Sequence, residues 1–193
     1  VSPDGRRVLV QRVVQRTRDV WLMDGARTSR VTFEPSREDF PVWSPDGTEF
    51  VFRSNRLGPF DIFRKAASGA GAEEQLATSD QLKSASSMSA DGRFLLYLSI
   101  DPQTDADMWV MPMTGDRKPS VIAKTPFREV WPVFSPDGRW MAYQSNESGR
   151  PEIYIRAFVA PGETGAKAPG GQWQVSTSGG IMPAWRSDGK ELY

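Results

Sequence analysis

Short apolar runs punctuate this chain at regular intervals. Val8-Leu9-Val10, Phe50-Val51-Phe52, Leu95-Leu96-Tyr97 and Met141-Ala142-Tyr143 each place three apolar residues in a row. A short run without alternation suits a strand covered on both faces; a helix needs a longer stretch with a 3.6-residue period, which is absent. Each run follows an Asp-Gly pair. These pairs fall at Asp4-Gly5, Asp46-Gly47, Asp91-Gly92, Asp137-Gly138 and Asp188-Gly189, at spacings of 42, 45, 46 and 51 residues. Three of the five read Ser-Pro-Asp-Gly. Pro presets φ, Asp bonds nearby backbone N–H groups and Gly accepts positive φ, so each pair predicts a tight hairpin turn with Asp4, Asp46, Asp91, Asp137 and Asp188 as structural residues.

The rest of the repeat is a meander. An acid opens a further strand at Asp19-Val20-Trp21, Asp61-Ile62-Phe63, Asp107-Met108-Trp109 and Glu152-Ile153-Tyr154. A weaker strand follows around Val31, Leu76, Ile122 and Val175. Before the turns stand Pro41-Val42-Trp43, Ser86-Ser87-Met88, Pro132-Val133-Phe134 and Pro183-Ala184-Trp185. Pro has no N–H and belongs at a sheet edge, which the innermost strand of a propeller blade supplies. Four strands per ~45 residues predict an all-β chain, a β-propeller of four-stranded antiparallel blades. A sandwich would show one-sided alternation and no such self-similarity.

The expected organisation is a partial blade over 1–33, complete blades over 39–79, 84–125 and 130–177, and a partial blade over 181–193. The chain opens at Val1-Ser2-Pro3 without Met and closes in an apolar pair, Leu192-Tyr193. It therefore reads as an excerpt of a ring of six or more blades, with closure of four blades as the alternative. The Gly/Pro/Ala stretch 158–172 reads as a mobile surface insertion between third and fourth strands, and Ser68–Glu73 as a shorter one.

Charge narrows the partners. Lys+Arg and Asp+Glu are both 24, for a formal net charge of zero, which removes the electrostatic case for nucleic acid or an anionic membrane. No apolar run approaches the ~18 residues that cross a bilayer, so no direct membrane insertion is expected. The chain has no Cys and no His. Disulfides, thiolate metal sites and a Ser-His-Asp triad are thereby excluded, while the compartment stays open.

Other chemistry is thin. Kinase motifs are absent, and Gly69-Ala70-Gly71 has no following helix to form a phosphate loop. Ser187-Asp188-Gly189-Lys190 has acyl-enzyme spacing but sits on a repeated turn. Asp101, Asp105 and Asp107 crowd one loop that could attract Ca²⁺, yet they lack the Gly and terminal Glu of a calcium loop. The repeated acids Asp19, Asp61, Asp107 and Glu152 answer a need of every blade and are read as structural. In the turns Asp and Gly are adjacent, unlike the Ser-x-Asp-x-Gly-x-x-Trp turn of sialidases. The expectation is a chain that is not an enzyme and needs no cofactor or metal.

Binding sites are expected on loops of the rigid scaffold. The connectors between blades and the loops between second and third strands carry Arg37, Glu38 and Asp39, then Asn55 and Arg56, Arg128 and Glu129, and Asn146 and Glu147 with Arg150. Mixed charge with Asn and Arg makes them a candidate rim for a protein or peptide, with a small ligand as a further possibility. Trp43, Trp131 and Trp185 lie in or just before innermost strands and are candidate channel-lining residues, against the alternative of packing between blades. Trp21, Trp109, Trp140 and Trp173 read as blade core.

The repeated Ser-Pro-Asp-Gly, apolar run and acid-led strand resemble the TolB-like, WD-repeat-like propellers over essentially the whole chain. The segments Phe134–Arg156, Gly170–Thr177 and Trp185–Tyr193 are also similar to the C-terminal propeller of bacterial serine/threonine kinases. The chain departs from that pattern where Arg156-Ala157-Phe158-Val159 replaces Arg-Pro-Phe-Pro, and in the long insertion. The resemblance implies a non-catalytic interaction or ligand-sensing region, a scaffold attached to a membrane-linked kinase, and favours an extracytoplasmic or periplasmic location. It also leaves open the gating propeller of a prolyl-oligopeptidase-like hydrolase and a periplasmic TolB-like propeller docking an envelope lipoprotein.

Overall fold

The computed structural model describes residues 1–14, 16–162 and 171–193. Its strands are β1 (Arg7–Val14), β2 (Thr17–Asp24), β3 (Arg27–Arg30), β4 (Glu38–Trp43), β5 (Glu49–Ser54), β6 (Asp61–Ala66), β7 (Glu74–Gln75), β8 (Lys83–Met88), β9 (Phe94–Asp101), β10 (Asp105–Pro112), β11 (Ser120–Ala123), β12 (Val130–Phe134), β13 (Trp140–Ser145), β14 (Glu152–Ala157) and β15 (Gln172–Gln174). Among the described residues there is no helix, hence none long and apolar enough to cross a membrane. The strands form one three-stranded and three four-stranded sheets, each an antiparallel meander in chain order. The chain is all-β and consistent with part of a β-propeller. Of the stretch expected as an insertion, residues 163–170 lie outside the described residues.

The chain divides into two compact units, Val1–Ala85 and Ser86–Tyr193, with the division inside β8. In the first unit, sheet β1–β2–β3 packs against sheet β4–β5–β6–β7. Val20, Val31, Phe50, Phe52, Phe63 and Ala67 form the core between them, with Leu9, Leu22 and Trp43 packed against it. The run Val8-Leu9-Val10 is only half-buried, unlike Phe50-Val51-Phe52. One neighbouring sheet covers one face of β1, so the expected two-sided burial holds for β5, β9 and β13 but not for β1.

The second unit has two clusters. Phe94, Leu96, Val110, Phe134, Met141 and Ala160 make one. Leu98, Ala106, Met108, Val130, Tyr143 and Tyr154 make the other. The outermost strands are short because their apolar residue lies just past the last ladder pair. Val31, Leu76 and Val175 follow β3, β7 and β15, and each still donates its N–H to the third strand, to Val20, Ile62 and Ile153.

The repeated turns share one mechanism. Ser2, Ser44, Ser89 and Ser135 each donate their hydroxyl to the Asp two residues on, at 2.5, 2.6, 2.7 and 2.6 Å. The Gly N–H closes the turn onto the carbonyl three residues back, at 2.8–2.9 Å in all five. All five glycines take φ of 68–72°, a region that costs a residue with a Cβ. In the fifth turn Arg186 stands where the others have Ser, and its guanidinium grips Asp188 instead. These donors hold the carboxyls low. The Ser89 and Ser135 hydroxyls, aided by Arg93 and Arg139, bring Asp91 and Asp137 down to about 2. The Ser2, Ser44 and Arg186 side chains lower Asp4, Asp46 and Asp188.

Candidate functional site

The innermost-strand starts are irregular in a repeated way. The β4–β5 register shifts between Asp39 and Val42, and the β12–β13 register between Val130 and Val133. At each shift a residue before Pro takes a left-handed backbone: Phe40 at φ 53° and Trp131 at φ 57°. Met182, before Pro183, does the same at 51°. Ala85 is the equivalent in the remaining repeat; Ser86 follows it instead of Pro, and it has no positive φ. Pro cannot donate to the ladder, so the strand bulges there and re-aims the preceding side chain. Bulky residues in this region store about 1–3 kcal/mol each and cluster at functional surfaces. Met182 is 58% exposed, so little packing offsets its strain. Met182→Asn, which tolerates the left-handed region, is expected to raise stability by about 0.5–1 kcal/mol. Thermal melts of the two proteins check this; an unchanged or lower midpoint counts against a strained Met182.

Of the sequence-predicted rim, Arg37, Arg128 and Arg150 are exposed cations, whereas Arg56 and the acids Glu38, Asp39 and Glu129 are buried or nearly so. Glu38, Asp39 and Glu129 are at most 2% exposed, so these carboxylates are not presented to solvent. Each stands at the start of an innermost strand and is covered by its neighbours; Glu38 and Asp39 meet arginines there, whereas Glu129 meets the Thr125 hydroxyl. Asp39 accepts from three arginines: Arg53 Nε on Oδ1 at 2.5 Å, and Arg18 Nη1 and Arg37 Nε on Oδ2 at 2.9 and 3.1 Å. Glu38 pairs with Arg56, which also bonds Glu73 and the Ser54 hydroxyl. Glu73 in turn holds Lys65 at 2.8 Å. Asn55 accepts the Arg37 backbone N–H at 2.8 Å, and Asn146 accepts that of Arg128 at 2.9 Å. Both Asn side chains therefore brace the loop before the innermost strand. Arg128 pairs with Asp105, and Arg150 with Glu152.

The acids that open third strands are met by donors of their own repeat, and Asp61 also by the first residue of the following innermost strand. Asp61 accepts from the buried Lys83 at 2.8 Å, Lys83 also bonding Ser79 and the Gln81 carbonyl. Asp19 accepts from Arg30 at 2.7 Å. Glu152 accepts from Arg150, Ser176 and the Gly179 N–H. Asp107 is less well served: Thr104 bonds Oδ2 at 2.8 Å, Lys124 stands 3.7 Å away, and the buried Oδ1 has no hydrogen-bond partner. Glu129 occupies the place that Lys83 has one repeat earlier. Thr125 bonds its Oε1, and its buried Oε2 is likewise unbonded. Desolvation raises the Glu129 carboxyl, with the charges of Asp107 and Glu147 acting the same way against Arg156. Desolvation also raises Glu38, against the Thr32 hydroxyl and Arg56.

The two sets of carboxyls act in opposite directions on stability. Glu38 and Glu129 bind a proton more readily folded than unfolded, so stability rises as pH falls through their folded values towards 4.5. The turn aspartates bind it less readily, so stability is lost as pH falls from 3.8 to about 2. A stability maximum at mildly acidic pH follows. Thermal melts from about pH 8 down to about 2 check it, and Glu129→Gln should shrink the neutral limb. A monotonic fall from neutral pH downwards would exclude this balance.

The candidate calcium loop is neutralised from within. Asp101 pairs with Lys124 at 2.5 Å and Asp105 with Arg128 at 3.0 Å. Among the described residues no group of three or more acids is arranged to hold a metal ion.

The tryptophans have separate surroundings. Trp43 is half-buried against the first core, with the Arg7 guanidinium 5.0 Å from its ring centre. Trp131 packs half-buried on the second cluster of the second unit. Trp185 lines a cavity of about 380 Å³ with Trp140, Trp173 and Ile155. Trp173 is 45% exposed, not blade core, because the outermost strand β15 leaves its residues open. It meets Trp140 edge-on at 5.6 Å.

No family model and no curated protein matches the sequence. Solved structures do match. A putative TolB from Agrobacterium tumefaciens is 19% identical with a TM-score of 0.79, over 99% of this chain and 66% of that one. The fold is that of a TolB-like β-propeller. TolB from Acinetobacter baumannii gives 19% identity and the same TM-score over all of this chain and 47% of its own. A prolyl endopeptidase structure gives 15% identity and a TM-score of 0.65 over 92% of this chain and 28% of that one. The chain thus spans under two thirds of the TolB proteins it matches.

Proposed function

We propose that this chain is a non-catalytic, protein-binding propeller segment that reads peptides with the bulged ends of its innermost strands. The observation carrying this is the repeated left-handed residue before Pro, at Phe40, Trp131 and Met182, beside the exposed cations Arg37, Arg128 and Arg150. Strain retained at equivalent places, on aromatic or thioether side chains suited to contact, supports recognition over chemistry. The lack of His and Cys supports the same reading, since the common nucleophile–base pairs cannot be assembled. The resemblance over Phe134–Arg156 further supports attachment to a bacterial membrane-linked serine/threonine kinase, as an extracytoplasmic sensor or scaffold.

The test is selection of peptides from a random displayed library against the chain, followed by hydrogen exchange. Protection at the Phe40 or Trp131 bulge or at Met182 is expected, and weaker binding by Trp131→Ala. Failure to enrich any peptide, or peptide or kinase turnover surviving repurification, overturns the reading. A second reading, a gate for a serine peptidase, draws on the prolyl endopeptidase similarity. A downstream Gly-x-Ser-x-Gly with a later His in the parent gene would favour it.

A further inference from the structure

Among the described residues, every buried charge network of the first unit balances except one. Asp19 meets Arg30, and Asp61 meets Lys83. Glu38 and Glu73 meet Arg56 and Lys65. Asp39 alone faces three guanidiniums, of Arg18, Arg37 and Arg53. One carboxylate against three cations leaves two positive charges in excess. Both Asp39 oxygens are already engaged, and the acid is fully buried.

The cluster is also held ready. The Arg53 guanidinium lies 4.3 Å from the Phe40 ring centre and 4.4 Å from that of Phe60. Arg37 lies 5.7 Å from Phe60. Arg18 and Arg37 face each other across an isolated parallel bridge. Arg18 and Arg37 keep 28% and 47% of their side chains exposed, so an anion can reach them.

The scaffold does not need this arrangement. A requirement of the blade would recur in every repeat. Counted from the Asp-Gly turns, the positions of Asp39 in the other repeats hold Ser84, Val130 and Ile181, and those of Arg53 hold Leu98 and Gln144. Counted from the third-strand acids, the positions of Arg18 hold Phe60, Ala106 and Pro151. Of the cluster only Arg37 has a charged counterpart, Arg128, which pairs with Asp105 instead; the positions of Asp39, Arg18 and Arg53 are uncharged in the other repeats.

We propose that Arg18, Arg37 and Arg53 form a receptor for a carboxylate side chain of a partner polypeptide, with Asp39 as the internal strut that fixes their geometry. This rests on the peptide-binding reading and names the chemistry it selects. A guanidinium offers planar paired donors that match a carboxylate, and the excess charge favours an acidic segment over a neutral one.

The test uses the ¹⁵N-labelled chain and two blocked peptides, Ac-Ser-Glu-Phe-Glu-Ser-NH₂ and its counterpart with both Glu replaced by Gln. Arginine Nε resonances of positions 18, 37 and 53 are followed through the titration, with sodium acetate as a separate arm. The acidic peptide should shift these resonances and bind about tenfold or more tightly than the neutral one, an advantage that salt erodes. Arg37→Gln and Arg18→Gln, each checked for an unchanged thermal midpoint, should each remove most of that advantage. Equal affinity of the two peptides, or full binding by both variants, overturns the proposal. So does acetate matching the acidic peptide, because the site would then take any small carboxylate. No shift with either peptide overturns it as well. None of these outcomes touches the peptide-binding reading, which the displayed library judges independently.

Discussion

Asp39→Ala is expected to be the most damaging single change in the first unit, at about 3–5 kcal/mol. The carboxylate is fully buried and answers three guanidiniums, at 2.5, 2.9 and 3.1 Å. Its removal costs more than three hydrogen bonds, because like charges then face one another with no anion between them. Arg37 and Arg18 can turn towards water, which limits their share. Arg53 cannot, since its side chain is 14% exposed and packed on Phe40 and Phe60. The stranded charge is therefore chiefly that of Arg53. A second change, Arg53→Met, should return much of the loss, because a similar-sized apolar side chain keeps the contact with both rings. Urea titrations of the wild type, both single variants and the double variant separate these contributions. A loss under about 1 kcal/mol for Asp39→Ala would show that the arginines relax freely, and the cluster would then not be preorganised.

Much of this architecture is legible in the residues because its signals are local. The Asp-Gly turns need only Ser, Pro, Asp and Gly in sequence, and the hydroxyl–carboxylate bond they imply is present in four of five turns. The short runs around Phe52, Leu96 and Ala142 mark central strands because burial on both faces tolerates no polar residue. The candidate site is harder to read. Glu38, Asp39 and Glu129 look like loop charges, and exposed charge is the usual state of such residues. Their burial depends on partners elsewhere in the chain: Arg18 and Arg53 reach Asp39 from 21 and 14 residues away, and Arg56 reaches Glu38 from 18. No pattern on one strand encodes that register. The bulges lie between these extremes. Phe40, Trp131 and Met182 each precede Pro at the same place in a repeat, a signal present in the sequence. What it lacks is the knowledge that the strand pairs on both sides of the Pro, which turns a missing N–H into a bulge.

Lys83→Met should have the next largest effect, again about 3–5 kcal/mol, and it probes the junctions where third-strand acids meet the next repeat. Lys83 and Asp61 are both nearly buried, and the ammonium also serves Ser79 and the Gln81 carbonyl. Without it Asp61 retains the Gln75 amide at 3.1 Å, one neutral donor for a buried anion. Pairing the change with Asp61→Asn should restore most of the stability, since it removes the stranded charge and not merely its partner. The same reasoning reverses sign one repeat on. There Asp107 stands where Asp61 stood, Thr125 where Ser79 stood, and Glu129 where Lys83 stood. The junction therefore has its acid and its hydroxyl but a carboxylate in place of the ammonium, and one buried oxygen on each acid lacks a hydrogen bond. Glu129→Lys supplies the missing charge and is expected to stabilise the chain by about 1–2 kcal/mol at neutral pH. It should also remove Glu129's share of the neutral-pH penalty, because the group that gains a proton there is gone. If Lys83→Met proves harmless and Glu129→Lys destabilises, the two junctions are not built alike, and the unbonded oxygens of Asp107 and Glu129 must be satisfied by something other than the counter-charge their sister position supplies.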